Sequence, residues 1–268
     1  MRIQKKDRNG RLRAEVLDRT RTIHILIFER SREVMINVVK VKDRDEGNKK
    51  AHDILKKLVD NKTLLALSGG TSVDYRVMLA TTENTGKKIG DTEILPGAIC
   101  VVDERYGKPF HKNSNELLLR NQGVKDFADR ECIESHKILK DKDFLETAKD
   151  YEKEIEGLFK KFKKKVGVMG IGANLHTAGI FPYSTATQSA DYVVSEEVDD
   201  KLPDRVTLTL KALGEFTNFV ILAFGKEKKD ALRKVLDEKE NDMQKYPAIF
   251  YRKSKIKSYL ITDQNVNI

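Results

Sequence analysis

The sequence predicts a doubly wound α/β domain, a mostly parallel sheet with helices on both faces. Residues 63–67 (TLLAL), 166–169 (VGVM) and 219–224 (FVILAF) are short apolar runs without polar alternation, the mark of strands buried on both faces. Segments of helical periodicity lie between such runs, and strands alternating with helices imply right-handed crossovers within one sheet. No internal repeat or Pro/Gly-rich linker divides the 268 residues, a length that suits one large α/β domain.

Each element follows from its own residues. Residues 1–22 carry Arg2, Lys5, Lys6, Arg8, Arg11 and Arg13 without apolar patterning, and read as a mobile basic extension ahead of a single domain over 23–268. The β-rich stretches 23–28 (IHILIF) and 34–41 (VMINVVKV) predict a hairpin across 29–33. Ala51, Ile54, Leu55, Leu58 and Val59 then form one apolar helical stripe. Strand 63–67 passes through Ser68-Gly69-Gly70-Thr71-Ser72 into a helix over 73–79. A strand at 98–102, a polar loop through Lys112 and a helix capped near Asn113-Ser114 come next. A longer charged helix covers about 144–162, and strand 166–169 ends in Gly170-Ile171-Gly172. Strands at 206–210 (VTLTL), 219–224 and 258–261, with a helix over 227–236, complete the pattern.

Composition narrows the function classes. The 51 Lys+Arg against 42 Asp+Glu leave a formal charge of +9, which favours anionic partners: nucleic acid, membrane headgroups or phosphorylated metabolites. No run approaches the ~18 apolar residues of a membrane span, so membrane integration is not expected. The basic N-terminus has no apolar core of a secretory signal, and the two cysteines, Cys100 and Cys132, make no disulfide framework, so a reducing, cytoplasmic location is expected. The densest basic cluster is Lys160, Lys161, Lys163, Lys164 and Lys165. With no Trp, zinc-finger spacing or RNA-binding signature, it reads as solvated surface and nucleic acid is not an expected partner.

In open α/β sheets, ligands bind beyond the carboxyl ends of the strands, so the loops there carry the chemistry. After residues 63–67, the turn Ser68-Gly69-Gly70-Thr71-Ser72 has the outline of a phosphate cradle, with close backbone N–H groups, flanking hydroxyls and a following helix. A plain strand-to-helix turn would read the same, and no Gly-Lys pair is followed by Ser or Thr as a Walker A loop requires. After residues 98–102, Asp103-Glu104-Arg105 offers a base or charge clamp, or a solvated charge cluster. After residues 166–169, Gly170-Ile171-Gly172 fails as a dinucleotide fingerprint because Leu175 stands where a third small residue belongs. His176 remains, placed either as a general acid/base or as a structural histidine. His24, His52, His111 and His136 form no metal-ligand pair, so no metal is expected.

Together these loops resemble the 6-phosphogluconolactonase family, within the superfamily that includes glucosamine-6-phosphate deaminase. The resemblance runs from about Ala51 to Asp263. It rests on Leu65-Ala66-Leu67-Ser68-Gly69-Gly70-Thr71-Ser72, Asp103-Glu104-Arg105 with Ser114-Asn115, and Gly170-Ile171-Gly172 with His176-Thr177-Ala178 and Phe181-Pro182. Arg205-Val206-Thr207-Leu208-Thr209 and Gly225-Lys226-Glu227-Lys228 extend it. The deaminase pattern has a tyrosine at Arg105 and Asn-Glu-Pro after the histidine, whereas this chain has Gly179-Ile180-Phe181-Pro182, the lactonase form.

The resemblance implies a Rossmann-like fold of the sugar-phosphate isomerase type and hydrolysis of 6-phospho-D-glucono-1,5-lactone to 6-phosphogluconate, a step of the oxidative pentose phosphate pathway. It implies that His176 is the general base, with Asp103 and Arg105 orienting substrate or balancing charge. Ser68, Gly69, Gly70, Thr71 and Ser72 would hold the 6-phosphate with Lys228 and Arg205, and Asn174 would lie in the substrate site. No cofactor is implied, the partner is a phosphorylated sugar lactone, and the state is monomer or homodimer. Three positions depart from the family: Asn174-Leu175 replaces Asp-Gly, and Val73-Asp74 replaces the proline after the first glycine loop. Asn174 brings no charge, and Leu175 is expected to resist a positive φ. These departures and the +9 charge keep a non-catalytic sugar-phosphate sensor as an alternative, beside a deaminase-like isomerase.

Overall fold

The computed structural model describes residues 2–6, 12–18, 21–25, 36–79 and 94–266, the first three stretches by their backbone. The chain divides into two units, Met1–Val34 and Met35–Ile268. In the first, β1 (Arg2–Lys6), β2 (Leu12–Asp18) and β3 (Arg21–Ile25) form an antiparallel meander in the order β1-β2-β3. Two of these strands and the first two residues of β3 fall within the 1–22 segment that the sequence left without pattern. Residues 26–28, 34 and 35 lie outside the described residues.

The second unit contains β4 (Ile36–Lys40), α1 (Arg44–Leu58), β5 (Thr63–Leu67), α2 (Tyr75–Met78), β6 (Ala98–Val101), β7 (Asp103–Arg105), α3 (Asn115–Asn121) and α4 (Val124–Arg130). It continues with β8 (Glu134–His136), α5 (Phe144–Lys161), β9 (Lys164–Gly170), β10 (Val193–Glu197), β11 (Asp204–Leu208) and α6 (Leu210–Leu213). Last come β12 (Asn218–Ala223), α7 (Lys229–Leu236), α8 (Phe250–Lys253) and β13 (Lys257–Thr262). The main sheet has the order β4-β13-β12-β9-β5-β6-β8, and every pairing in it is parallel. The expected hairpin is therefore corrected: β3 pairs with β2, while β4 pairs with β13 at the far end of the chain.

Burial explains the centre of the sheet. All five residues of β5 are buried, and so are five of the six in β12, because helices cover both faces. Asp43 and Asp143 cap α1 and α5 by accepting the N–H groups of Glu46 and Glu146. On the inner face of α5, the Tyr151 hydroxyl accepts the Val101 N–H (3.0 Å) and donates to the Val101 carbonyl (2.6 Å), fixing the end of β6.

Two corrections bear on the site. Residues 206–210 were expected to form another strand of the main sheet. Instead β11 ends at Leu208 and joins a separate antiparallel sheet, β10-β11-β7, while Thr209 caps α6. The helix expected over 73–79 shortens to the four residues of α2, too few to carry a useful helix dipole. From β5 the chain steps outward through β6 to β8, then crosses back along α5 to β9 on the other side of β5. The pair β5–β9 is thus the topological switch point, and a crevice opens beyond its carboxyl ends. Among the described residues no helix is long and apolar enough to cross a membrane.

Candidate active site

A cavity of about 260 Å³ lies at this switch point, lined by residues 68–73 after β5, by β7 and β11, and by the loop after β9. The first loop is held rigidly from behind. The buried Tyr75 hydroxyl donates to the Ser68 carbonyl (2.6 Å), and Asn48 on α1 bonds the Ser72 carbonyl (3.1 Å) and the Asp74 N–H (2.7 Å). Gly70 has φ +108°, open to glycine alone, and a Cβ on Gly69 would sit 1.9 Å from Oδ1 of Asn115. Among the described residues, the N–H groups of Gly69, Gly70, Thr71 and Ser72 meet no acceptor, so they are free to bind an anion.

β7 and α3 form the second wall. Asn115 donates through Nδ2 to the Asp103 carbonyl (2.7 Å). The Glu104 carboxylate turns away from the cavity and accepts the N–H groups of Arg105, Asn115 and Glu116 at 2.8, 2.6 and 2.9 Å. It is a structural clamp on the start of α3. Its burial nonetheless pushes its pKa up to about 8 against those three bonds. Asp103 is buried as well, which raises its proton affinity, while the charges of Arg105 and Arg205 oppose the shift. Ser68 Oγ, Asn115 Oδ1, Arg105 Nε and Arg205 Nε are buried polar atoms without partners, and all four belong to residues lining the cavity. Unmet buried donors and acceptors converging on one space are the mark of a polar ligand site.

The third loop positions His176. Asn174 Oδ1 accepts the His176 N–H (3.2 Å) and lies 2.6 Å from its Nδ1. An amide oxygen only accepts, so Nδ1 carries the proton and Nε2 keeps the lone pair. The ring sits over Gly172, where a Cβ would come within 2.2 Å of Nδ1, and it stacks on Phe181 at 4.5 Å and 8°. The Arg205 guanidinium lies 5.4 Å from the centre of the Phe181 ring. Thr177 next door donates to the Gly170 carbonyl (3.0 Å) and shares a 2.5 Å hydrogen bond with the buried Tyr251 hydroxyl. Desolvation, with Lys228, Arg205 and Arg105 nearby, lowers the His176 pKa to about 4, and Asp200 partly offsets this.

Leu175 corrects an expectation. It adopts φ +67° despite its side chain, so the substitution has not forbidden the left-handed turn. Its N–H donates to the Gly172 carbonyl (3.0 Å), its carbonyl accepts the Ala248 N–H (3.0 Å), and its side chain is buried.

Of the residues singled out from sequence, Ser68, Gly69, Gly70, Thr71, Ser72, Asp103, Arg105, His176, Arg205 and Lys228 all line the cavity. Asn174 does not; it stands behind His176 as its hydrogen-bond partner. Asp200, missed by sequence reasoning, also lines the cavity and forms an ion pair with Arg205. Its only sequence signal is a carboxylate five residues before that arginine, within Asp199-Asp200-Lys201, which reads as a solvated turn. Among the described residues no group of three His, Cys, Asp or Glu side chains is placed to hold a metal ion.

Comparison with known proteins agrees with this geometry. Residues 45–260 match the family model described as glucosamine-6-phosphate isomerases/6-phosphogluconolactonase. A 6-phosphogluconolactonase from Nostoc sp. is 29% identical over 154 residues, a stretch covering 55% of this chain and 63% of that protein. The match therefore spans less than two thirds of that relative. A solved 6-phosphogluconolactonase from Plasmodium vivax superposes with a TM-score of 0.67 at 18% identity, over 86% of this chain and 90% of its own. A monomeric glucosamine-6-phosphate deaminase does nearly as well, at 0.65 and 18% identity over 84% of this chain and 97% of its own. The fold is thus common to both activities, and only the residues in the cavity can tell them apart.

Proposed function

The chain belongs to the glucosamine-6-phosphate isomerase/6-phosphogluconolactonase family, and from that premise we propose that it hydrolyses 6-phospho-D-glucono-1,5-lactone to 6-phosphogluconate with His176 as general acid/base. The observation that carries the proposal is the Asn174–His176 hydrogen bond, which leaves the Nε2 lone pair for a reacting group in a cavity lined with cations. Nε2 takes a proton from water as its oxygen bonds to the lactone carbonyl carbon. The tetrahedral intermediate then collapses, the bond to the ring oxygen breaks, and the imidazolium returns the proton to that oxygen. Arg105, whose Nε–H has no partner, stabilises the developing oxyanion, and Asp103 balances the charge. The free N–H groups of the Gly69–Ser72 turn receive the 6-phosphate, and Lys228 and Arg205 neutralise it. This chemistry calls for a base and an oxyanion site, and draws on neither a metal nor a redox cofactor.

The test is a coupled assay on freshly generated lactone, with spontaneous hydrolysis subtracted, on wild type and His176→Ala. Turnover above background that falls by at least about a hundredfold in the variant is expected, the scale of a lost general base. Undiminished turnover in His176→Ala would sink the assignment. No wild-type turnover, together with thermal stabilisation by 6-phosphogluconate, would favour the sugar-phosphate sensor. The deaminase reading has less support, since Phe181 occupies the loop after the histidine and stacks on its ring.

A further inference from the structure

Asn174 fixes the ring of His176 but, as a neutral amide, supplies no charge when that ring becomes an imidazolium. The surrounding charges are mostly positive: Lys228 from the turn after β12, Arg205 from β11 and Arg105 from β7. Among the described residues, the carboxylates lining the cavity are Asp103 on β7 and Asp200 on the β10–β11 connection. Asp103 is buried between Arg105 and Arg205, and desolvation works against its charged form. Asp200 is partly open to solvent, and its carboxylate is bonded to Nη2 of Arg205. That arginine needs an anion, because the β11–β7 register sets it directly opposite Arg105. Asp200, Arg205, Phe181 and His176 then follow one another in contact, by ion pair, cation–π and ring stacking.

We propose that Asp200 is a positioning residue that supplies the charge Asn174 lacks: Asn174 sets the tautomer of His176, and Asp200, acting through Arg205, offsets the positive charge the ring gains with a proton. This rests on the reading of His176 as the base. Two separate jobs, orientation and charge compensation, are divided between residues 174 and 200.

The test uses full-length wild type, Asp200→Asn, Asn174→Asp and the double variant, with two readouts. One is the titration midpoint of the His176 ring by NMR, its signal assigned by its loss in His176→Gln. The other is kcat on the lactone. Removing the Asp200 charge should lower the midpoint, most readily seen in the Asn174→Asp background, where the new carboxylate brings it above about 4. In the wild-type background, Asp200→Asn should lower kcat by about tenfold, the equivalent of one pK unit. Asn174→Asp should restore most of that loss, and Asp200→Glu should keep near-wild-type values. Unchanged midpoints on removing Asp200, or a kcat loss that Asn174→Asp does not repair, would overturn the proposal. Absence of turnover in wild type would refute the lactonase reading instead, and the midpoints would still decide the role of Asp200.

Discussion

Leu175 sets two forces against each other, and substitution there measures both. Its φ of +67° is a left-handed conformation, costing about 1–2 kcal/mol for a residue with a Cβ. Its side chain is 6% exposed within the core, and truncating such a leucine costs about 3–5 kcal/mol. Leu175→Ala loses the burial and keeps the strain, so it should destabilise by the full 3–5 kcal/mol or so. Leu175→Gly also loses the burial but sheds the strain, less about 0.4–1 kcal/mol for the freer unfolded glycine chain. The glycine variant should therefore be more stable than the alanine variant by roughly 0.5–1 kcal/mol, and both should be less stable than wild type. Urea unfolding curves of the three proteins, compared at constant m, supply the numbers. A glycine variant as stable as wild type would show that leucine burial contributes little. An alanine variant at or above the glycine variant would refute the strain at this position. Because the backbone of residue 175 is fixed by Gly172 and Ala248, the glycine variant should keep the orientation of His176 and its catalytic rate.

Further outcomes follow from the same geometry. Folded His176 binds its proton near pH 4, against about 6.5 when unfolded. The unfolded chain binds more protons between these values, so this residue lowers stability as pH falls from about 6.5 to 4, by up to about 3 kcal/mol. Unfolding free energies of wild type and His176→Gln should diverge across that window, and parallel pH dependences would mean the ring is solvated. Gly69→Ala places a methyl group against Asn115, and should weaken substrate binding and destabilise by about 1–3 kcal/mol; an unaffected KM would count against the cradle. A bound phosphate neutralises Lys228 and Arg205, which both lower the pKa of His176, so the acid limb of kcat should lie at higher pH than that of kcat/KM. Lys228→Ala should narrow that gap and raise KM more than it lowers kcat; coincident limbs in wild type would show that the phosphate binds elsewhere.

The central strands were legible because burial on both faces leaves a local trace: TLLAL at β5 and FVILAF at β12 have little freedom to be anything else. The long charged helix read over about 144–162 is α5, at Phe144–Lys161. Pairing over distance leaves no such trace. β4 looked like half of a hairpin because nothing near it names its partner, and Val39 pairs with Ile261. β7 was read as a charged loop because Asp103-Glu104-Arg105 has no apolar face, and its strand conformation comes from its pairing with β11. The glycine loops and His176 were visible because their chemistry is carried by residue type. Asp200 was not, since its place beside the cavity depends on the β10–β11 connection and on the arginine it meets.

The departures at 174 and 175 leave the loop intact because its conformation is fixed many times over. The Gly172 N–H donates to the His176 carbonyl (2.8 Å), the ring lies between Gly172 and Phe181, and Thr177 is tied to both Gly170 and Tyr251. Strained residues persist where the surroundings leave no alternative, and here the surroundings include the strand ends of the switch point itself. What changes is charge. With an amide at 174 and three cations nearby, His176 is a weak base that is fully available at neutral pH. As the proposed general base, it would gain in the fraction of competent enzyme and lose in driving force for proton abstraction. In the proposed reaction the rate would then depend on how well the imidazolium is compensated once formed, the role proposed for Asp200.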